Sequence, residues 1–314
     1  MTYMNGITFI IVTWNNEDQI EECIQTVMKY TLVPYHIIIV DNQSSDNTTD
    51  IIQSQFPTVE LISSQDNLGF AKANNLALER VSSDYVCFLN PDTILTEDIV
   101  TPSLDILEKN SLIGLVSCKL HNYDGSWQPS CFHFANSISL PIEILHLGKL
   151  LPRFICKKYF PNFYYPKEDF CPDWVIGAEM IMRTKEAKEI RGFSTEYYMY
   201  TEDMDLCQKV TRILGKKIYY TAAHSLIHLG GASESQNINY NKQEKLLNND
   251  ILFIRKFYGD ESARKTLKHM YIAYLIRLLL LKCFYYKRDR KLQIEKTQKV
   301  MSILKEISND CYHR

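Results

Sequence analysis

Short apolar runs alternate with amphipathic segments over the first 120 residues of the chain. Such runs, rich in β-branched residues, are typical of strands that are covered on both faces. Between the first two runs, apolar residues from Ile20 to Met28 follow the i, i+3, i+4, i+7 and i+8 spacing of an amphipathic helix. This alternation predicts a parallel sheet flanked by helices. The predicted strands are Ile7–Thr13, His36–Val40, Val59–Ile62, Tyr85–Leu89 and Ile113–Cys118, and further helices are predicted near Asp46–Gln55, Ala71–Arg80 and Glu97–Lys109.

The regular pattern breaks between Leu120 and Asp173, where aromatic residues, Pro and Asn are frequent. Connections of this length inside an α/β domain are usually functional or mobile. The clearest apolar helix candidate in the stretch is Ile138–Leu151. Regular structure resumes with Glu179–Arg183, a helix after Thr184 and a strand at Lys217–Thr221.

The last quarter of the chain has a helical pattern, with Gly259 placed as a helix stop. The run Met270–Tyr286 is almost wholly apolar, but Arg277 and Lys282 interrupt it, and it is shorter than the roughly 20 residues that span a bilayer. Its aromatic content and basic flanks suit a helix that lies in a membrane interface. Because Arg277 projects away from the basic face, this amphipathicity is incomplete. A buried helix in a bundle or in a dimer contact is the alternative.

Charge is divided unevenly along the 314 residues, whose formal net charge is only −2. Residues 255–314 hold 15 Lys and Arg against six Asp and Glu, so this tail carries +9 and the rest of the chain −11. An acidic body with a basic tail suggests two roles, although a solvated basic helix explains the tail equally well. The 46% of hydrophobic residues exclude a disordered chain, and the small net charge argues against a dedicated nucleic-acid binder.

The nine cysteines show no CxxC or other paired spacing. Several of them fall within apolar runs, where cysteine behaves as a small core residue. A disulfide framework is not expected in a chain of this size. No basic and apolar signal segment precedes Ile7, so we expect a cytoplasmic protein.

Polar residues follow the predicted strands at their carboxyl ends, the edge at which open α/β sheets bind ligands. Asp41, at the end of the second strand, can accept hydrogen bonds from a nucleotide, although a cap or turn role is commoner for such a residue. The fourth strand ends in Asn90-Pro91-Asp92, where a carboxylate can hold a divalent cation that bridges a diphosphate. Asn-Pro is also an ordinary turn former. Neither GxGxxG nor GxxxxGK[ST] occurs, which argues against dinucleotide and P-loop sites.

Three carboxylates fall within four residues at Glu202, Asp203 and Asp205. Their mutual repulsion raises at least one pKa and can prepare a general base. The structural alternative is an acidic first turn of a helix capped by Thr201. His228 precedes a pair of glycines and is a candidate ligand for a metal or a phosphate, although a lone His is more often structural.

Taken in order, these segments resemble the motifs of the family 2 inverting glycosyltransferases of the GT-A fold. The resemblance covers roughly Ile7 to Ser233. It implies an α/β fold with a Rossmann-like mixed sheet flanked by helices. The implied domains are a catalytic domain over 1–235, with a nucleotide-sugar half over about 1–120 and an acceptor half over about 121–235, and a basic helical extension over 236–314. The matching segments are Val12–Asn16, Asp41–Asp46, Asn67–Asn75, Asn90–Asp92, Trp174–Ala178, Gly192–Cys207 and His228–Ser233.

The resemblance also implies roles for individual residues. Asp203 would be the general base, with Glu202 beside it on the acceptor side. Asp92 and His228 would hold Mg²⁺ or Mn²⁺, although Asn90 stands where the family's metal motif has its first carboxylate. The remaining implied contacts are Thr13, Trp14, Asn15, Asp41, Asn67, Gly69, Lys72, Asn75 and Asn90 for the nucleotide sugar, and Trp174, Gly177 and Ala178 for the acceptor.

The segments Asp124–Ser130 and Asp173–Val175 resemble those of bacterial rhamnosyltransferases and related enzymes of cell-surface polysaccharide synthesis. This implies transfer of a sugar such as rhamnose from a dTDP- or UDP-linked donor to a glycan or a polyprenyl-diphosphate-linked acceptor. Such an enzyme would work at the inner face of the membrane, which the C-terminal helices would contact. A homodimer contact is the alternative use of those helices.

Two other functions are compatible with the α/β pattern. A sugar-phosphate nucleotidyltransferase would share the layout, but it typically has an early basic, Gly-rich loop for a triphosphate, and Thr13–Glu22 has neither feature. A non-catalytic, membrane-docked partner of another transferase would need none of Asp92, Asp203 and His228. The presence of all three residues therefore favours an enzyme.

Overall fold

The computed structural model describes residues 6–160, 165–197, 199–230, 242–284 and 289–312. The chain forms two compact units. The sheet unit comprises Met1–Phe132 and Tyr165–Ile238, and the helical unit comprises His133–Tyr164 and Asn239–Arg314. The domain boundary expected near residue 235 lies outside the described residues, as do Gly231–Ser233 of the last motif.

The strands and helices follow the apolar pattern closely. The strands are β1 Ile7–Thr13, β2 Tyr35–Asp41, β3 Glu60–Ser63, β4 Tyr85–Leu89, β5 Thr93–Leu95, β6 Ile113–His121, β7 Trp127–Gln128, β8 Cys131–Phe132, β9 Trp174–Val175, β10 Glu179–Arg183 and β11 Lys217–His228. The helices are α1 Ile20–Tyr30, α2 Thr48–Gln55, α3 Phe70–Arg80, α4 Val100–Lys109, α5 Ser139–Ile144, α6 Arg153–Tyr159, α7 Thr184–Glu189, α8 Glu202–Arg212, α9 Lys242–Phe284 and α10 Arg290–Tyr312.

The main sheet is mixed, with the strand order β3-β2-β1-β4-β10-β6-β11-β5 and β7 added beside β6. The four strands from β1 to β4 pair in parallel, as the alternating pattern predicts. β10 runs antiparallel to both β4 and β6, so the parallel expectation does not extend across the whole sheet. All seven residues of β1 are buried, which explains why its sequence is apolar apart from Thr8 and Thr13.

The last strand of the sheet is longer than its apolar pattern predicts. It extends beyond Thr221 to His228 because the register against β6 shifts between Thr221 and Ser225, a bulge that interrupts the alternation. The extended part pairs with β5, and His228 lies opposite Thr93. The bulged strand therefore carries His228 to the end of the Asn90–Asp92 segment.

The helical unit differs in one respect from the sequence-based expectation. The predicted helix Ile138–Leu151 is instead α5 followed by a 3₁₀ turn at Leu147–Leu150. The reason is local, since His146 adopts a left-handed conformation with φ 53° and ends the α-helical run.

The C-terminal helices α9 and α10 pack against each other, and α5 packs against α9. Gly259, the predicted helix stop, has φ 84° and ψ 169° and marks a kink within α9. Met270, Ala273 and Leu278 of α9 are buried, as are Val300 and Leu304 of α10. Among the described residues, no helix combines the length and the apolar character that crossing a bilayer requires.

Candidate active site

A cavity of about 330 Å³ opens in the sheet unit at the carboxyl ends of β1, β2 and β4. The segment before β10 and the first turn of α8 complete its wall. This is the edge at which the sequence places its candidate residues. Eleven of them line the cavity: Thr13, Trp14, Asn67, Gly69, Asn90, Asp92, Gly177, Ala178, Glu202, Asp203 and His228.

The loops after β1 and β2 support each other beside the cavity. The Asn15 backbone N–H donates to Ser44 Oγ at 2.8 Å, and Asn15 Oδ1 accepts from the Ser45 N–H at 2.7 Å. The Thr13 hydroxyl donates to Asn16 Oδ1 at 3.1 Å. Asn15 therefore braces the loops and does not itself line the cavity. Its predicted contact with a nucleotide has no support from this geometry.

The strand end at Asp41 carries buried acceptor atoms that lack partners. Asp41 Oδ2 accepts from the Ser44 N–H at 3.0 Å, whereas Asp41 Oδ1 and Asn42 Oδ1 are buried without a hydrogen bond in the described part of the chain. Burial of an unpaired acceptor costs free energy, so these atoms are poised for an external donor. Asn42 lines the cavity and was not predicted, although its position directly after β2 was a signal.

Three further predicted residues also lie away from the cavity lining. Asn75 holds the backbone of Phe193 with both amide atoms, at 2.8 Å each, so its side chain is committed to the fold. Lys72 is exposed on α3. Trp174 stacks on Phe132 with ring centroids 4.5 Å apart. None of the three lines the cavity.

His228 and Asp92 form a close pair at one side of the cavity. His228 Nε2 lies 3.3 Å from Asp92 Oδ1, and both side chains are about one-tenth exposed. Gln128 Oε1 lies 2.8 Å from His228 Nδ1, and Gln128 Nε2 donates to Asn122 Oδ1 at 3.1 Å. Gln128 Oε1 can accept a proton from Nδ1, which favours the tautomer whose Nε2 lone pair is directed towards Asp92 and Asn90.

Two carboxylates, Glu202 and Asp203, also line the cavity, from the first turn of α8. Asp203 Oδ2 accepts from the Gly177 N–H at 3.1 Å, and its Oδ1 accepts from the Met204 N–H at 2.8 Å. Glu202 Oε2 is buried without a hydrogen bond among the described residues. Burial raises the pKa of both groups, and the negative charge of Asp203 raises the pKa of Glu202 further. The two N–H donors oppose the rise in the pKa of Asp203.

The third carboxylate of the cluster points away from the cavity. Asp205 is fully buried and accepts hydrogen bonds from the hydroxyls of Ser194 and Tyr197. Its role is therefore structural. The turn before α8 is also unusual, because Tyr200 and Thr201 both have positive φ, at 70° and 75°. Thr201 occupies the N-cap position without a side-chain cap bond, so the simple capped-helix interpretation does not describe this turn.

Several other lining residues were not predicted from the sequence. They are Val12, Asn42, Phe70, Pro91, Ile176, Met199 and Tyr200. Met199 and Tyr200 lie inside the Gly192–Cys207 motif, directly before the acidic cluster. Their position in that motif was the sequence signal that could have placed them in the cavity lining. Gln128 lies within the recognised Asp124–Ser130 segment, but its contact with His228 spans 100 residues of sequence and depends on the sheet.

Comparison with known sequences places the chain in a family. The family model for glycosyl transferase family 2 matches residues 8–167. The chain is 27% identical over 236 residues to the rhamnosyltransferase WbbL of Escherichia coli (strain K12), covering 71% of this chain and 83% of that protein. It is 23% identical over 230 residues to the N-acetylglucosaminyl-diphospho-decaprenol L-rhamnosyltransferase of Mycobacterium tuberculosis (strain CDC 1551 / Oshkosh), covering 70% and 75%.

Solved structures share the fold at low sequence identity. The mannosyltransferase PcManGT from Pyrobaculum calidifontis, in complex with GDP-Man and Mn²⁺, aligns with a TM-score of 0.58 at 13% identity, covering 96% of this chain and 86% of that one. S. aureus TarS 1–349 in complex with UDP aligns with a TM-score of 0.55 at 14% identity, covering 99% and 89%. These likenesses confirm the expected GT-A type fold. Because the family model spans half of its residues, the chain belongs to glycosyl transferase family 2 and is a glycosyltransferase.

Proposed function

We propose that the chain is an inverting, metal-dependent glycosyltransferase that uses a nucleotide diphosphate sugar. The proposal rests on the residues that line one cavity. Two of them are carboxylates with raised pKa values, and an Asp–His pair lies elsewhere in the same lining. The family assignment favours glycosyl transfer over the nucleotidyltransferase alternative. A non-catalytic partner would have no use for this arrangement.

Asp203 is the proposed general base. Its two N–H hydrogen bonds stabilise the ionised form. Glu202 also accepts backbone hydrogen bonds, but the negative charge of Asp203 raises its pKa further and its Oε2 is buried without a partner among the described residues. Asp203 therefore loses its proton first, and environments that separate two carboxyl pKa values in this way mark acid and base roles. Asp203 accepts the proton of the acceptor hydroxyl while that oxygen bonds to the anomeric carbon and the bond to the diphosphate breaks. A single displacement of this kind inverts the anomeric configuration.

The residues around Asp92 fit a divalent cation. Two ligands in neighbouring positions on an octahedral ion with bonds of ~2.1 Å lie about 3 Å apart, close to the 3.3 Å that separates Asp92 Oδ1 and His228 Nε2. With the proton on Nδ1, Asp92 Oδ1 and His228 Nε2 are two acceptor atoms that would hold a divalent cation. Since no cluster of three metal-binding side chains occurs among the described residues, the donor diphosphate would supply further ligands. Bound Mg²⁺ or Mn²⁺ would neutralise the leaving diphosphate.

The proposed donor site uses the strand ends after β1, β2 and β4. Thr13, Trp14 and Asn42 line the cavity, and Asp41 Oδ1 and Asn42 Oδ1 are buried acceptors that await a donor group. An N–H of a pyrimidine base or a ribose hydroxyl would satisfy them. The two relatives described above are named as rhamnosyltransferases, which supports a dTDP-linked rhamnose donor, with a UDP-linked sugar as the alternative.

The proposed acceptor is a glycan or a polyprenyl-diphosphate-linked glycan in cell-surface polysaccharide synthesis. The decaprenol-linked substrate in the name of the mycobacterial relative supports the lipid-linked form. Gly177 and Ala178 line the cavity beside Asp203, and the Trp174 ring is proposed as an aromatic platform for a sugar ring. An enzyme with such an acceptor works at the inner face of the cell membrane, peripherally.

Thermal stabilisation by a panel of dTDP-, UDP- and GDP-sugars, each with Mn²⁺ or Mg²⁺, tests the proposal. A donor at 100 times its dissociation constant should stabilise the protein by about 2.7 kcal/mol. We expect a response that requires the metal and that Asp92→Ala abolishes. Stabilisation by no nucleotide sugar, or stabilisation that is the same without metal, would contradict the assignment.

A further inference from the structure

We propose that the helical unit docks on an anionic lipid surface through an exposed apolar stripe of α9, aided by exposed apolar side chains between residues 138 and 159. This inference deepens the membrane location proposed above. It is tested by vesicle binding, which is a separate measurement from sugar transfer.

The stripe lies on a single face of α9. Its residues follow one another at alternating spacings of three and one, which is the repeat of one helix face. At 1.5 Å per residue the stripe is about 18 Å long. The exposed fractions of the Ile, Leu and Phe side chains in the stripe range from 41% at Leu275 to 74% at Phe284. The members are Ile272, Leu275, Ile276, Leu279, Leu280, Cys283 and Phe284.

The fold of the helical unit does not require this stripe. The opposite face of α9 carries the buried residues Met270, Ala273, Leu278 and Leu281, and α9 packs against α10 and α5. A helix that buries one face is expected to expose polar residues on the other. In α9 the exposed face is apolar as well, and exposed apolar patches of this kind mark interaction sites.

The position of Arg277 removes the main objection to an interfacial helix. Its Nη1 donates to the carbonyl oxygen of Ile144 at 2.9 Å, and it lies 3.4 Å from His146 Nε2. The guanidinium is thus used within the helical unit, against the segment that follows α5. Because these contacts turn the guanidinium into the helical unit, Arg277 does not place its charge on the apolar face from Ile272 to Phe284.

Exposed basic residues precede the stripe on the same helix. Arg264, Lys265 and Lys268 are exposed in the turns before Ile272, and Lys282 is exposed beside its C-terminal end. Basic residues next to an apolar face suit anionic lipid headgroups, each contributing about 1 kcal/mol near such a surface. The predicted basic flank at Lys287 and Arg288 lies outside the described residues.

The segment 138–159 supplies a second set of exposed apolar side chains in the same unit. Leu150 is 81% exposed and Phe154 is 74% exposed. Ile138, Leu147 and Tyr159 are exposed as well. The segment is joined to α9 by a hydrogen bond between His269 Nδ1 and the carbonyl oxygen of Ser137 at 2.7 Å, so it belongs to the same structural unit.

Charge favours lipid over a second copy of the chain as the occupant. In a two-fold symmetric contact each stripe meets its own equivalent. Antiparallel pairing of two α9 stripes about their midpoint would leave Lys282 of one copy about 9 Å along the axis from Lys268 of the other. Like charges then lie near each other at both ends of the contact, whereas anionic headgroups would neutralise them.

Flotation of the full-length protein with vesicles tests this proposal. We expect binding to 3:1 phosphatidylcholine:phosphatidylglycerol vesicles and weaker binding to pure phosphatidylcholine. The double variant Ile276→Glu/Leu280→Glu should lose roughly tenfold or more in vesicle affinity. The matched control Leu32→Glu/Leu112→Glu changes two exposed leucines of the sheet unit and should bind as the wild type does.

Two further measurements keep the outcomes distinct. Donor-induced thermal stabilisation should be the same in the wild type and in the Ile276→Glu/Leu280→Glu variant, which separates loss of docking from loss of the active site. Light scattering of the free protein tests the second-copy occupant. Equal vesicle binding by the wild type and the double variant would overturn the proposal. If the wild type is also a dimer and the double variant a monomer, the stripe is a contact between two copies of the chain.

Discussion

Replacing Gln128 with Leu should weaken metal binding without removing a metal ligand. In the structure Gln128 Oε1 lies 2.8 Å from His228 Nδ1, a contact that favours a proton on Nδ1 and the Nε2 lone pair towards Asp92. A Leu side chain has a similar volume but accepts no hydrogen bond. The ring proton can then move to Nε2 and bond to Asp92 Oδ1, 3.3 Å away, in the place that the cation would occupy.

The expected magnitude follows from this contact. Loss of a hydrogen bond that orients a metal-bound histidine typically costs 10- to 100-fold in affinity, or about 1.4–2.7 kcal/mol. Gln128→Glu retains an acceptor for the Nδ1 proton but loses the Nε2 donor to Asn122 Oδ1, so it should bind metal more tightly than Gln128→Leu does. Comparison of the Leu and Glu variants therefore shows whether the loss of the acceptor, and not the substitution itself, lowers the affinity for metal.

Mn²⁺ titration followed by the electron paramagnetic resonance of the free ion measures this affinity directly, with the nucleoside diphosphate present. Unfolding midpoints in metal-free buffer show whether Gln128→Leu is folded. Gln25→Leu, an exposed glutamine of α1, is the control for a generic effect. If Gln128→Leu is folded and binds Mn²⁺ as tightly as the wild type, the orientation of His228 by Gln128 has no role and the reasoning fails.

Four other predictions concern pH and stability. Burial raises the pKa of Asp203, so kcat/KM should fall with decreasing pH at values above the usual range of an aspartate, and pH-rate profiles test this. The same raised pKa makes ionisation of Asp203 costly in the folded state. The free energy of unfolding therefore falls as the pH rises through this pKa, and Asp203→Asn should raise the melting temperature more at pH 8 than at pH 4. Gly192→Ala would place its Cβ 2.2 Å from Asn75 Oδ1 and should cost about 1–3 kcal/mol in urea unfolding, more than Gly215→Ala, which has a similar φ and no atom within 4 Å. Asp205→Ala removes a buried carboxylate that accepts two hydroxyl hydrogen bonds and should lower the free energy of unfolding by about 1–3 kcal/mol, while kcat per folded molecule stays near the wild-type value.

Residues whose place depends on strand ends could be predicted from the sequence. Apolar runs located β1 and β4 closely, and the carboxyl ends of parallel strands meet at one edge of a sheet. Thr13, Asn90 and Asp92 therefore lie together in the cavity, as expected.

Residues whose role depends on contacts across the fold could not be predicted. Asn75 braces a backbone 118 positions away in the sequence, and no local pattern distinguishes this from a contact with a nucleotide. The sequence alone does not distinguish Asp205 from Asp203. In the structure the side chain of Asp205 points to a different side of α8, where the hydroxyls of Ser194 and Tyr197 donate hydrogen bonds to it. His228 reaches Asp92 through a bulge that interrupts the alternating pattern of its strand.

Sugar transfer by Asp203→Asn tests the central claim most directly. The substitution keeps the size of the side chain and removes the base, and general-base catalysis is worth ~10²–10⁴-fold. With the donor identified by thermal stabilisation, we predict that the variant binds donor and metal as the wild type does, while release of nucleoside diphosphate in the presence of acceptor falls by about that factor. Release at the wild-type rate would contradict the assignment of Asp203 as the base of this glycosyltransferase.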